Sequence, residues 1–103
     1  MKIIWTELAV EKLEEIADYI ALDKPSAAFK WVELIQNSVN KLLKFPQVGR
    51  EVPEILRADI RELVEGNYRI IYRLETKRIS ILTIRHTKQL LNKTDIFKKL
   101  KAT

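Results

Sequence analysis

The apolar pattern of this chain changes its period once, and that change limits the folds open to it. After a short opening strand, apolar residues recur every three or four positions as far as Phe45; beyond Glu54 they alternate. One spacing paints a stripe along a helix and the other paints one face of a strand, so the two halves cannot share an architecture. Between them lies "FPQVGREVPE" (45–54), which holds two of the three prolines and one of the two glycines. It is a loop that carries the chain from one layer to another.

The opening "KIIWT" (2–6) is β-branched and aromatic, as a short strand requires. Thr6 is placed to cap a helix over 7–22, with Ala9, Leu13, Ile16, Ala17 and Ile20 on one side and Glu7, Glu11, Glu14, Glu15 and Asp18 on the other. Pro25 opens a second helix, whose stripe runs through Ala28, Trp31, Val32, Ile35, Val39 and Leu42. Pro46 disfavours helical geometry in the residue before it, so this helix should end near Phe45. So brief a connection makes the two helices an antiparallel hairpin.

Segments 59–66, 67–75 and 78–86 follow as consecutive antiparallel strands, turned at Gly66-Asn67 and Thr76-Lys77. The last is apolar on both faces (Ile79 and Ile81 against Leu82 and Ile84), which makes it central and covered. The tail, 87–103, has a short helix from about 95, capped by Thr94, with Ile96, Phe97 and Leu100 on its apolar side. The order is β-α-α-β-β-β: one α+β domain over residues 1–103, its helix hairpin packed on one face of an antiparallel sheet.

Composition narrows the chemistry. With no cysteine and one histidine among 103 residues, neither a disulfide nor a metal site is expected. Gly49 and Gly66 are the only glycines, so there is no phosphate-cradling loop and no cofactor is expected. The start, "MKIIWTELAVEKLEE", reaches acidic residues too soon for a secretory signal, and no apolar run is long enough to span a membrane. A cytoplasmic location is the expectation. The net charge of +5 is uneven: residues 1–56 hold 7 Lys/Arg and 9 Asp/Glu, whereas residues 57–103 hold 12 and 5. Such asymmetry suggests an anionic partner for the second half.

Alternation then sorts the side chains. Tyr68, Ile70, Tyr72 and Leu74 share the core face of their strand, while Arg69, Ile71 and Arg73 share the other. Arg61 from the strand before, and Arg85 or His86 from the strand after, are expected to join Arg69 and Arg73 on that open face. Guanidinium forks match phosphate or carboxylate oxygens in pairs, which makes Arg61, Arg69, Arg73 and Arg85 candidates for binding an anionic target. His86 is the one side chain suited to proton transfer near neutral pH. The plainer reading makes Arg73, which Glu75 follows, half of a cross-strand ion pair, and leaves Trp5 and Trp31 in the core.

Four segments in order, "LEEIADYI", "FPQVGREVPE", "DIRELVEGNYRIIYRLE" and "ISILTIRH", give the chain a resemblance to the RelE/ParE superfamily of type II toxin–antitoxin toxins, also known as plasmid stabilisation proteins. The resemblance covers nearly the whole chain. It implies a toxin that arrests growth unless a cognate antitoxin binds it, with Leu90, Leu91, Ile96 and Phe97 as candidate antitoxin contacts. ParE-like members inhibit DNA gyrase and are not enzymes, and the long helix hairpin and the 45–54 loop look more like that branch. RelE-like members are mRNA endoribonucleases (mRNA interferases) of the ribosomal A site; in that mould Arg69, His86 and Arg61 would be catalytic. Three ribonuclease positions depart: a second lysine is replaced by Leu63, a late arginine falls near Gln89, and the tail lacks a tyrosine in the expected place, Tyr72 facing the wrong way to replace it. A non-toxic module binding nucleic acid or protein is the third reading, and too few aromatics interleave with the arginines for base stacking.

Overall fold

The computed structural model of the chain describes residues 1–88 together with Ile96. Strand β1 (Lys2–Trp5) leads into α1 (Glu7–Asp23) and α2 (Pro25–Asn40); β2 (Arg50–Glu51), β3 (Ile60–Glu65), β4 (Tyr68–Leu74) and β5 (Arg78–His86) complete the fold. Thr6 caps α1, its Oγ1 accepting the Ala9 N–H at 3.2 Å while its own hydroxyl donates to the Ile81 carbonyl at 2.7 Å. That one side chain starts the helix and ties it to β5. Pro25 opens α2 as expected. The helix ends at Asn40 rather than near Phe45, tightening through a 3-10 turn over Lys41–Leu43 in which Lys41 accepts from Lys44 and Phe45.

The strands form one five-stranded sheet in the order β1-β5-β4-β3-β2. Two features depart from the sequence reading. β1 pairs with β5 in parallel, so the sheet is mixed, and the loop contributes a two-residue strand, β2, that extends the edge beyond β3. Gly66 takes φ +57° at the first central position of the β3–β4 turn, where a side chain would be strained. This two-residue turn sets the register of the hairpin, Glu65 opposite Tyr68 and Glu62 opposite Ile71.

Each face of the sheet has its own core. On the helix side, Ala9, Ile35, Val39 and Leu42 pack on Ile70, Tyr72, Ile79, Ile81 and Ile84. On the opposite side, Val52, Ile60, Ile71, Leu82 and Ile96 form a smaller cluster. Tyr68, Ile70, Tyr72 and Leu74 therefore share the helix-side face as their alternation required. Ile84 does not lie opposite Ile79 and Ile81. Thr83 and Ile81 face consecutive residues of β4, Ile71 and Tyr72, so Leu82 is an extra residue and the alternation of β5 shifts there by one. β5 is still central and covered on both faces.

Tyr72 fixes the start of the loop from beneath. Its buried hydroxyl donates to the Pro46 carbonyl at 3.0 Å and accepts the Gly49 N–H at 2.9 Å. Burial pushes the phenol above its ordinary pKa, against the opposing pull of the Gly49 hydrogen bond and the Arg61 charge. No side chain fits at position 49, because a Cβ there would lie 2.4 Å from the Tyr72 hydroxyl and 2.6 Å from the Glu62 carbonyl. Gly49→Ala should therefore cost about 2–4 kcal/mol through overpacking and a lost buried hydrogen bond. Thermal melting checks this, with exposed Val48→Ala as the control, expected to stay within about 0.5 kcal/mol of the parent.

Candidate functional site

Arg69 stands on the sheet face away from the helices, but that face is not open at Arg69. The residue is only 6% exposed. Its Nη1 and Nη2 grip the two oxygens of Glu54 at 2.8 and 2.9 Å, and its Nε and Nη2 grip those of Glu62 at 2.9 and 2.7 Å. Glu62 comes from β3, where the hairpin register puts it on the same face, and its side chain is wholly buried. Glu54 comes from the loop, which crosses over the sheet and closes the site. Arg50 adds a longer contact to Glu62 at 3.5 Å. Its hydrogen bonds to Glu54, then to Glu62, raise the guanidinium pKa further above its already high value, outweighing the effect of burial. It is a cation at every relevant pH.

Of the other predicted residues, Arg73 and Arg85 share its face, whereas Arg61 and His86 do not. Arg61 was expected on the same face, yet it lies opposite Tyr72 and so belongs to the helix side. There its Nε donates to the Ala58 carbonyl at 3.1 Å and its Nη1 to the Gly49 carbonyl at 2.8 Å. Arg73 does share the face of Arg69, and it reaches across the hairpin to Asp59 at 3.3 Å, an ion pair of the plainer reading's kind. Arg85 sits directly across from Arg69 on β5. His86 lies across from Tyr68, on the helix side, with its ring edge-on to Tyr68 at 5.4 Å; Tyr68 in turn meets Trp31 edge-on at 5.2 Å. The His86 Nδ1 accepts the Lys88 N–H at 3.1 Å. An open groove of about 310 Å³ runs beside it, between Lys12, Ile16 and Tyr19 of α1 and the end of β5. Of the tail residues, Leu90, Leu91 and Phe97 lie outside the described residues, as does the expected helix apart from Ile96. Ile96 is 1% exposed and belongs to the smaller core. Among the described residues no cluster of His, Asp and Glu could hold a metal ion.

The loop over Arg69 has its own geometry. The N–H groups of Ile55 and Leu56 return to the Val52 carbonyl at 3.1 and 3.0 Å, making a single helical turn. Leu56 ends that turn at φ +56°, the only non-glycine residue with positive φ among those described. A leucine in this left-handed conformation costs about 1–2 kcal/mol, and a glycine would avoid the cost. Past it, Asp59 is forked by Arg57 at 3.0 and 2.7 Å. Burial alone would raise the Asp59 carboxyl, but the hydrogen bonds and charge of Arg57, with Arg73 beyond, hold it below the usual range. Glu75 is likewise lowered against burial, by Ser80 and Arg78. Sequence reasoning missed Glu54, Glu62 and Leu56. The turn at Gly66-Asn67 carried the signal for Glu62, since it fixes which residues share a face with Arg69.

Arg69→Met should cost about 3–5 kcal/mol, because it strands the buried Glu62 carboxylate; adding Glu62→Gln should recover much of the loss. The parent loses stability in acid, as pH falls below about 4 and through the depressed folded values of Asp59 and Glu75. Urea unfolding of parent and variants at three pH values measures the loss and the pH trend.

Residues 3–91 match the family model described as the ParE toxin of the type II toxin–antitoxin system, parDE. The toxin-family protein Y4kP of Sinorhizobium fredii is 38% identical over 90 residues, which are 85% of this chain and 90% of that protein. Toxin RelE2 of Caulobacter vibrioides is 31% identical over 90 residues, covering 86% and 98%. Among solved structures, a chain of the chromosomal ParDE system from P. aeruginosa superposes with a TM-score of 0.70 at 29% identity, over 84% of this chain and 95% of that one. A chain of the RelBE2 toxin–antitoxin complex from Mycobacterium tuberculosis shares the fold, with a TM-score of 0.56 at 23% identity over 82% and 95%. With the family model spanning most of its length, the chain belongs to the ParE toxin family of type II toxin–antitoxin systems, within the RelE/ParE superfamily.

Proposed function

We propose that this toxin acts in the cytoplasm by occupying a protein surface, that of DNA gyrase, and that a cognate antitoxin holds it in check. The observation that carries the reading is the dispersal of the groups a ribonuclease would need. Cleavage at an mRNA phosphate requires its acid, base and cationic groups within hydrogen-bond reach of one reacting centre. Arg69 and His86 instead lie on opposite faces of the sheet. Arg61 shares the face of His86 but is two strands away and four residues along, about 13 Å on the strand rise alone. Arg69 and Arg61 already donate to carboxylates and carbonyls of their own chain, and a phosphate would have to displace those acceptors. The ParE family match supports the gyrase branch. The antitoxin is supported by the two solved relatives, both from toxin–antitoxin systems.

Pulse labelling after induction tests the mechanism. Thymidine incorporation should fall before amino-acid incorporation, and His86→Gln should arrest growth within about threefold of the parent, a difference of well under 1 kcal/mol in effective binding. Loss of protein synthesis first, abolished by His86→Gln, would instead establish the ribonuclease mechanism suggested by the name of the Caulobacter relative.

A further inference from the structure

We propose that Leu56 is a docking knuckle, whose side chain enters an apolar pocket on the folded protein that this toxin inhibits. The inference rests on the reading of the toxin as a binder of a protein target. Leu56 is 80% exposed and holds a left-handed backbone that its side chain disfavours. Neither property helps the fold. A glycine would relax the backbone, and a polar residue would suit the solvent. Strain kept where it brings no stabilising contact points to a use outside the folded chain.

The surroundings hold the leucine still. Before it, Ile55 packs against the smaller core and Glu54 is clasped by Arg69. After it, Asp59 is clasped by Arg57 and Arg73. The turn closes on the Val52 carbonyl. A side chain presented on so braced a loop loses little backbone freedom on docking. Rigidity also bears on the partner. An antitoxin segment that folds as it binds would mould itself to a groove, whereas a fixed knob fits a pocket that is already formed.

Charge selects the chemistry of that pocket. Residues 45–61 carry three arginines and three acidic residues, a neutral stretch in a chain of net charge +5. Glu54 and Asp59, on either side of Leu56, are both neutralised by arginines of the chain itself. A leucine on a neutral loop gains nothing from phosphates and much from an apolar cavity. The partner surface is therefore protein rather than nucleic acid.

Three substitutions separate docking from folding. Leu56→Gly and Leu56→Asn tolerate the left-handed backbone, and should melt at the parent temperature or up to about 8 °C above it. Both should need at least about tenfold more toxin to arrest growth, as removal of a central apolar anchor does. Leu56→Met keeps an apolar side chain and should stay within about threefold of the parent. All three should bind the co-expressed antitoxin within threefold of the parent. A Leu56→Gly toxin as potent as the parent, in cells whose DNA synthesis stops first, would overturn the knuckle while leaving the gyrase reading intact. Antitoxin binding that falls in step with potency would also overturn it, by assigning the surface to the antitoxin. A parent toxin that stops protein synthesis first would overturn the gyrase reading and the knuckle with it.

Discussion

One guanidinium holds the loop to the sheet. Arg69 projects from β4 at a point where the helices are all on the other side, and it meets carboxylates from two different parts of the chain. Glu62 reaches it across the hairpin; Glu54 reaches it from the loop. The two-fork geometry is directional, so it fixes the position of the loop and not only its proximity. With the loop fixed, Val52 and Ile55 come down on Ile60, Ile71 and Leu82, and the second face of the sheet acquires a core. A buried ion pair of this kind is a weak source of net stability, because desolvation cancels most of the attraction. What it supplies here is a single register, since any slip of the hairpin would leave a charged group buried without its partner.

Much of the layer structure was legible because period is a property of local sequence. The helix stripes, the cap at Thr6, the proline at the start of α2 and the alternation through Tyr68–Leu74 each follow from residues a few positions apart. The misplacements have one origin in common. The parallel pairing of β1, the short β2 and the covering of Arg69 all depend on contacts between distant segments, which periodicity does not encode. Arg61 is the instructive case. Alternation within its own strand was sound, but its face relative to β4 depends on register. Counting back from Gly66-Asn67 puts Arg61 opposite Tyr72 and Glu62 on the face of Arg69. The extra residue at Leu82 could not be counted in this way, because nothing in "ISILTIRH" marks the position of the shift.

The two faces of the sheet then divide the work. The helix-side face carries the larger core, and its aromatic series from Trp31 through Tyr68 ends at His86, beside a groove along α1. The opposite face is smaller and polar at its margin, and its main product is a braced loop. An exposed apolar residue on mobile chain would lose entropy on binding; the same residue on a braced loop loses less. The internal ion pairs around Glu54 and Asp59 are thus linked to the presentation of Leu56.

The same ion pairs change what the charge asymmetry means. The second half of the sequence suggested a surface aimed at an anion, yet most of its described arginines are committed within the fold: Arg57 and Arg73 to Asp59, Arg69 to Glu54 and Glu62, Arg78 to Glu75, and Arg61 to backbone carbonyls. Part of the remaining excess belongs to Lys93, Lys98, Lys99 and Lys101, outside the described residues. Counting charges along a chain treats an arginine in a two-carboxylate clasp as equal to a lysine in water. For an incoming phosphate they differ greatly. Reaching Arg69 would mean displacing two carboxylates held at hydrogen-bond distance, one of them fully buried, at a cost comparable to breaking the network itself. A net charge of +5 therefore favours long-range attraction to an anionic surface far more than it favours a phosphate site on this sheet.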